Sequence, residues 1–138
     1  MTSAAVNGKN SVKWLFGLTA ALLAWRFWLL PNLGISLYVD EAQYWTWAQH
    51  LDWGYFSKPP GVATLIWLST ALFGDGMVGV KALSMLCYPL AAAACWGIAR
   101  RLYDERVAFW SAIAVLTLPI FSWLGLFVST DALLTLFW

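Results

Sequence analysis

Three nearly continuous apolar stretches, at residues 14–30, 77–98 and 107–128, constrain this chain more than anything else in it. A helix that crosses a bilayer needs about 20 mostly apolar residues, and each stretch approaches or exceeds that length. Their only charged residues are Arg26 in the first and Lys81 in the second. The rest of the composition agrees: 62% of residues are hydrophobic, 11% are charged and the mean hydropathy is +0.69. A soluble domain carries about a quarter charged residues, so the chain reads as an integral membrane protein of the all-α, polytopic kind. Its eleven Trp suit wide interfacial belts. A net charge of +1 excludes nothing by itself, but the chain has no basic patch of the kind that would suggest nucleic acid, and no nucleic-acid partner is expected.

The topology follows from charge. Residues 1–13, polar and mildly basic, lead into the first span without a small-x-small cleavage motif, which favours an uncleaved helix over a signal peptide. Lys9 and Lys13 precede that span, and Arg100, Arg101 and Arg106 follow the second. If both basic ends face the cytoplasm, the number of crossings between them is even. Spans 14–30 and 77–98 supply two, so the dozen apolar residues 62–73 lie along the outer surface or re-enter. Residues 31–76 then form an outer loop with short surface helices. The third span, 107–128, returns to the outer side with a kink at Pro119, and a further span begins at 132 inside an uncapped apolar run. The chain thus reads as the first part of a longer protein, one not expected to be active alone. Within the spans, Arg26 and Lys81 lie near the outer ends and can snorkel to the headgroups, with an anion contact as the other reading for Arg26. Pro89 can kink the second span. Cys87 and Cys95, two helical turns apart, are too distant for a disulfide and read as core filler.

Residues 37–61, LYVDEAQYWTWAQHLDWGYFSKPPG, interrupt this apolar background and hold the candidate chemistry. They contain three of the seven acids, the single His and the only Pro-Pro pair. Residues 40–50 can form a helix, and its aromatics occupy more than one face, as in a helix lying at the membrane surface. Asp40 and Glu41 are neighbours whose side chains diverge by about 100° on a helix, so one acts and the other supports. Asp40 reads equally as a catalytic acid or as a helix N-cap or first-turn acid, and Asp131, preceded by Ser129 and Thr130, reads more readily as a cap or first-turn acid. Lys58 sits on a loop stiffened by Pro59 and Pro60, where it suits a lipid phosphate or simply anionic headgroups. His50 has no second ligand at metal spacing and reads as a solvated loop residue.

The combination of VDEA, GYFSKPPG and the later STDA resembles the GT-C membrane glycosyltransferases, in the branch of protein O-mannosyltransferases and lipid A aminoarabinose transferases. The resemblance implies a polytopic GT-C fold and transfer of a sugar from a polyprenyl-phosphate carrier, generally with inversion. It implies that Asp40 is the catalytic base or acceptor-orienting group, with Glu41 as its partner in the acidic pair and Asp131 as a second carboxylate bordering the cavity. Lys58 resembles the residue that contacts the polyprenyl phosphate, and with Tyr44 and Tyr55 it makes up the substrate-binding candidates. Ser57 stands where the aminoarabinose branch can place an acidic metal ligand. A site of that kind is therefore expected to be absent, although a divalent cation held by Asp40, Glu41 and Asp131 stays open. The acceptor, whether lipid, glycan or protein, is open as well. The site is expected to face the periplasm or exterior of a bacterial inner membrane.

Two other classes compete. A transporter or flippase for a lipid-linked substrate would place its essential charges near mid-membrane, whereas Asp40, Lys58 and Asp131 are expected at one surface. A structural subunit anchored by its aromatics would tolerate Asp40→Asn.

Overall fold

The computed structural model describes residues 8–34 and 36–138. Residues 1–7 and the side chain of Lys9, part of the basic lead into the first span, lie outside the described residues. Within them the chain is all-helical, with seven helices and no strand. α1 spans Gly8–Asn32, α2 Val39–Ala48, α3 Gly61–Phe73, α4 Met77–Leu102, α5 Glu105–Thr117, α6 Pro119–Leu124 and α7 Thr130–Phe137. α1 (from Asn10) and α4 are long and apolar enough to cross a membrane. α3 has 13 residues, about 20 Å at the helical rise, against a hydrocarbon core of about 30 Å. α2 and α3 are the short helices expected within residues 31–76.

α4 is the central element and packs against α1, α3, α5 and α7. Its contact face is built from small side chains, with Ala82, Ala91, Ala92 and Ala99 all buried, so neighbouring helices approach closely. One core joins Tyr44 and Ala48 of α2 to Val62 and Ile66 of α3, Val80 of α4 and Val128. A second joins Cys87 and Tyr88 of α4 to Ala132 of α7. Large apolar side chains including Trp14, Phe16, Trp25, Trp67, Trp110 and Trp123 face outward, as a lipid-facing surface requires.

Glycine makes the hairpin between α3 and α4. Gly74 closes α3 at φ +85°, a left-handed conformation that disfavours other residues. The backbone of Gly79 then lies so close to Gly74 that a Cβ would collide with its carbonyl. Ser69 fastens the same crossing, donating to the Gly79 carbonyl and accepting from the Leu83 amide at 3.1 Å.

The 107–128 stretch is divided. α5 ends at Thr117, Leu118 is extended at ψ 130°, and Pro119 opens α6. Proline lacks the amide a continuing helix needs and drives the preceding residue out of the helical region. Residues 125–129 are non-helical and lead into α7.

Arg26 does not snorkel. Its side chain is 7% exposed and packs against Gly125, whose missing Cβ leaves the room the guanidinium fills. Lys81, 4% exposed, is likewise buried.

Candidate active site

The buried end of Lys81 meets Glu41. The ammonium lies 2.9 Å from Glu41 Oε1, and both side chains are almost fully enclosed. Glu41 is the third residue of α2 and reaches back to accept from the Tyr38 backbone amide at 2.9 Å, half of a capping box. Its Oε1 also accepts from the Val128 amide at 2.6 Å. Lys81 in turn donates to the Leu126 carbonyl at 3.0 Å and stands 5.2 Å from the Phe127 ring centre. Both carboxylate oxygens of Glu41 are therefore engaged, and the residue is turned into the protein, away from solvent.

Asp40 is the opposite case. It occupies the second position of α2, behind Tyr38 at the cap, so it is not the N-cap. It is exposed and has no ion pair or side-chain hydrogen bond among the described residues. Asp131 repeats the arrangement at the second position of α7. There Ser129 is the cap, its hydroxyl accepting from the Asp131 amide at 3.2 Å, and the Asp131 carboxylate is exposed. Helix N-termini favour both acids electrostatically without consuming their oxygens.

Lys58 is exposed and lines a groove of about 490 Å³ between the start of α3 and α7, with Thr130, Leu133, Leu134 and Phe137 on the facing side. Its position is set by Tyr55, whose amide donates to the Lys58 carbonyl at 3.2 Å. The Tyr55 ring stacks on Trp47 at 4.7 Å, and its hydroxyl donates to the Trp47 carbonyl at 3.1 Å while lying 3.2 Å from the Asp52 amide. Tyr55 thus clamps the loop onto α2. Tyr44 is 4% exposed and sits in the core against Trp47 at 5.7 Å, so the phenol lies away from the groove. His50 is exposed.

One end of the molecule gathers most of these residues. The Glu41–Val128 bond ties the first turn of α2 to the segment that delivers Asp131, and Lys58 shares its groove with Thr130. No ion pair joins Asp40, Lys58 and Asp131 among the described residues. The residues do not fit a carboxylate-only divalent site. Glu41 is saturated by protein donors, and no three His, Cys, Asp or Glu converge among the described residues.

A family model described as dolichyl-phosphate-mannose-protein mannosyltransferase matches residues 57–138, more than half of the chain. The chain belongs to this family. The match includes Lys58, Lys81 and Asp131. Among curated relatives, the lipid A galacturonosyltransferase RgtD of Rhizobium johnstonii is 36% identical over 114 residues, covering 82% of this chain and 24% of the relative. An undecaprenyl phosphate-alpha-4-amino-4-deoxy-L-arabinose arabinosyl transferase of Pseudomonas fluorescens is 29% identical over 126 residues, covering 81% of this chain and 23% of the relative. The chain therefore spans about a quarter of the length of these relatives. No solved structure matches.

Sequence reasoning missed Lys81 as the partner of Glu41. The signal was there: an ionisable residue inside an apolar span calls for a named partner, and Glu41 is an acid beside a second acid that cannot share its direction.

Proposed function

We propose that this chain forms one wall of the active site of a glycosyltransferase that moves a sugar from a polyprenyl-phosphate carrier to an acceptor hydroxyl or phosphate at the outer face of a bacterial inner membrane. The observation that carries this reading is Asp40, a free, exposed carboxylate beside a Glu41 whose own oxygens are spent on structure, in a chain of this family. Its relatives' names supply the chemistry: one acts on lipid A, the other carries its aminoarabinose on undecaprenyl phosphate.

Asp40 takes or orients the proton of the acceptor as its oxygen attacks the anomeric carbon. The new C–O bond forms as the bond to the carrier phosphate breaks, with inversion at carbon, and the electron pair leaves with the phosphate. Lys58 offsets charge on that phosphate, and the apolar groove beside it accepts the adjoining hydrocarbon. Phosphate is a good leaving group, so no protein acid is needed to protonate it. Asp131 borders the same cavity. The even-crossing topology belongs to this proposal: the N-terminus and the α4–α5 turn in the cytoplasm, and α2 and α3 outside.

The test is Asp40→Asn in the full-length protein, matched for membrane abundance and assayed with a polyprenyl-phosphate sugar. Loss of transfer at normal abundance is expected. Retained turnover would remove Asp40 as the base, and a protein that moves the lipid-linked sugar across vesicles without transferring it would favour a flippase.

A further inference from the structure

Glu41 and Lys81 do more than neutralise each other. Residues 126–128 lie outside any helix; the Leu126 and Phe127 amides donate to the carbonyls of Trp123 and Leu124, which leaves the carbonyls of Leu126 and Phe127 and the amide of Val128 in need of partners from elsewhere, most of all in an apolar surrounding. Side chains of two other helices supply them. Lys81 of α4 donates to the Leu126 carbonyl at 3.0 Å, Ser84, one turn further along α4, lies 3.5 Å from the Phe127 carbonyl, and Glu41 of α2 accepts from the Val128 amide at 2.6 Å. The same Glu41 caps its own helix through Tyr38.

We propose that Lys81 is a positioning residue, which through Glu41 and the 126–128 backbone fixes the spacing of the Asp40 end of α2 from the Asp131 end of α7. Asp40 is covalently next to Glu41, and Asp131 follows Val128 by three residues. One ammonium therefore governs both exposed acids without touching substrate. Its catalytic consequence rests on the function proposed above; its geometric consequence does not.

Removing only one member of a buried pair leaves an uncompensated charge and is strongly destabilising, whereas replacing both by neutral residues of similar volume is often near neutral. The decisive variant is therefore Lys81→Met combined with Glu41→Gln, since Gln still accepts a hydrogen bond at the cap. Spin labels at the exposed Gln43 and at the half-exposed Thr135, which lies outside the Lys58 groove, with Cys87 and Cys95 replaced by Ala, report the α2–α7 spacing in the full-length protein, and turnover is read on the unlabelled protein. The labelled protein with Glu41 and Lys81 intact is expected to give one narrow distance. The double variant is expected at near-normal abundance with a broadened distance and, because misplacement of about 1 Å can cost about 100-fold, a kcat lower by about that factor at little-changed donor KM. Lys81→Arg, keeping charge and donor, is expected to restore the narrow distance. A broad distance with the pair intact, or a double variant with narrow distance and normal kcat, would overturn the proposal. Normal turnover of Asp40→Asn would instead sink the base assignment and leave the distance result standing.

Discussion

Asp40 and Asp131 occupy the same slot, the second residue of a short helix whose cap is another side chain's task. Helix-capping residues share the composition of catalytic acids, so at this scale sequence could only hold both readings open. The structure shows that the cap amides are taken by Glu41 and Ser129, so Asp40 and Asp131 are not N-caps, and it places both as acids of the first turn. Lys58 is exposed and without an ion pair among the described residues. Lys58→Ala is expected to raise donor KM and, because charge on the phosphate grows as it leaves, to lower kcat as well, with kcat/KM down about tenfold or more, equivalent to about 1.4 kcal/mol. Mass spectrometry of co-purifying lipids checks the same point: polyprenyl phosphate should be depleted in the variant. Tyr44, by contrast, is core, and Tyr44→Ala should lower thermal stability by about 3 kcal/mol, read from the melting transition.

The helices were legible from hydropathy and punctuation, and their ends less so. Residues 31–76 gave two short helices as expected: α2 ends at Ala48, close to the expected end at 50, while Pro60 precedes α3 and Gly74 closes it. The division of the third apolar stretch at Leu118 was signalled by Pro119, yet Pro89 stands inside α4 without ending it, whereas Pro31 lies one residue before the end of α1. Packing decides between those outcomes, and periodicity does not contain it. The Glu41–Val128 and Lys81–Leu126 bonds were illegible for a related reason: a backbone partner leaves no residue-type signature at its own position. The α3–α4 hairpin has the sharpest steric demand. Gly79→Ala is expected to prevent accumulation of folded protein, because the added methyl would meet the Gly74 carbonyl and neither backbone can yield cheaply. Ser129→Ala at the α7 cap should cost only about 1 kcal/mol, measurable as a small fall in melting temperature.

For the whole molecule, membrane residence was plain from composition, while orientation rests on the basic residues at Lys13, Arg100, Arg101 and Arg106. A Cys placed at the exposed His50, again without Cys87 and Cys95, should react with an impermeant thiol reagent from outside intact cells; labelling only after the membrane is broken would reverse the topology. The order of synthesis adds a constraint of its own. Glu41 finds its amide in Val128, 87 residues later. In a growing chain α2 and α4 are both complete before residue 128 leaves the ribosome. For that interval the first turn of α2 holds its countercharge and not its anchor. Nascent chains halted short of residue 128 are therefore the ones quality-control proteases should find with the acidic end of α2 unsecured.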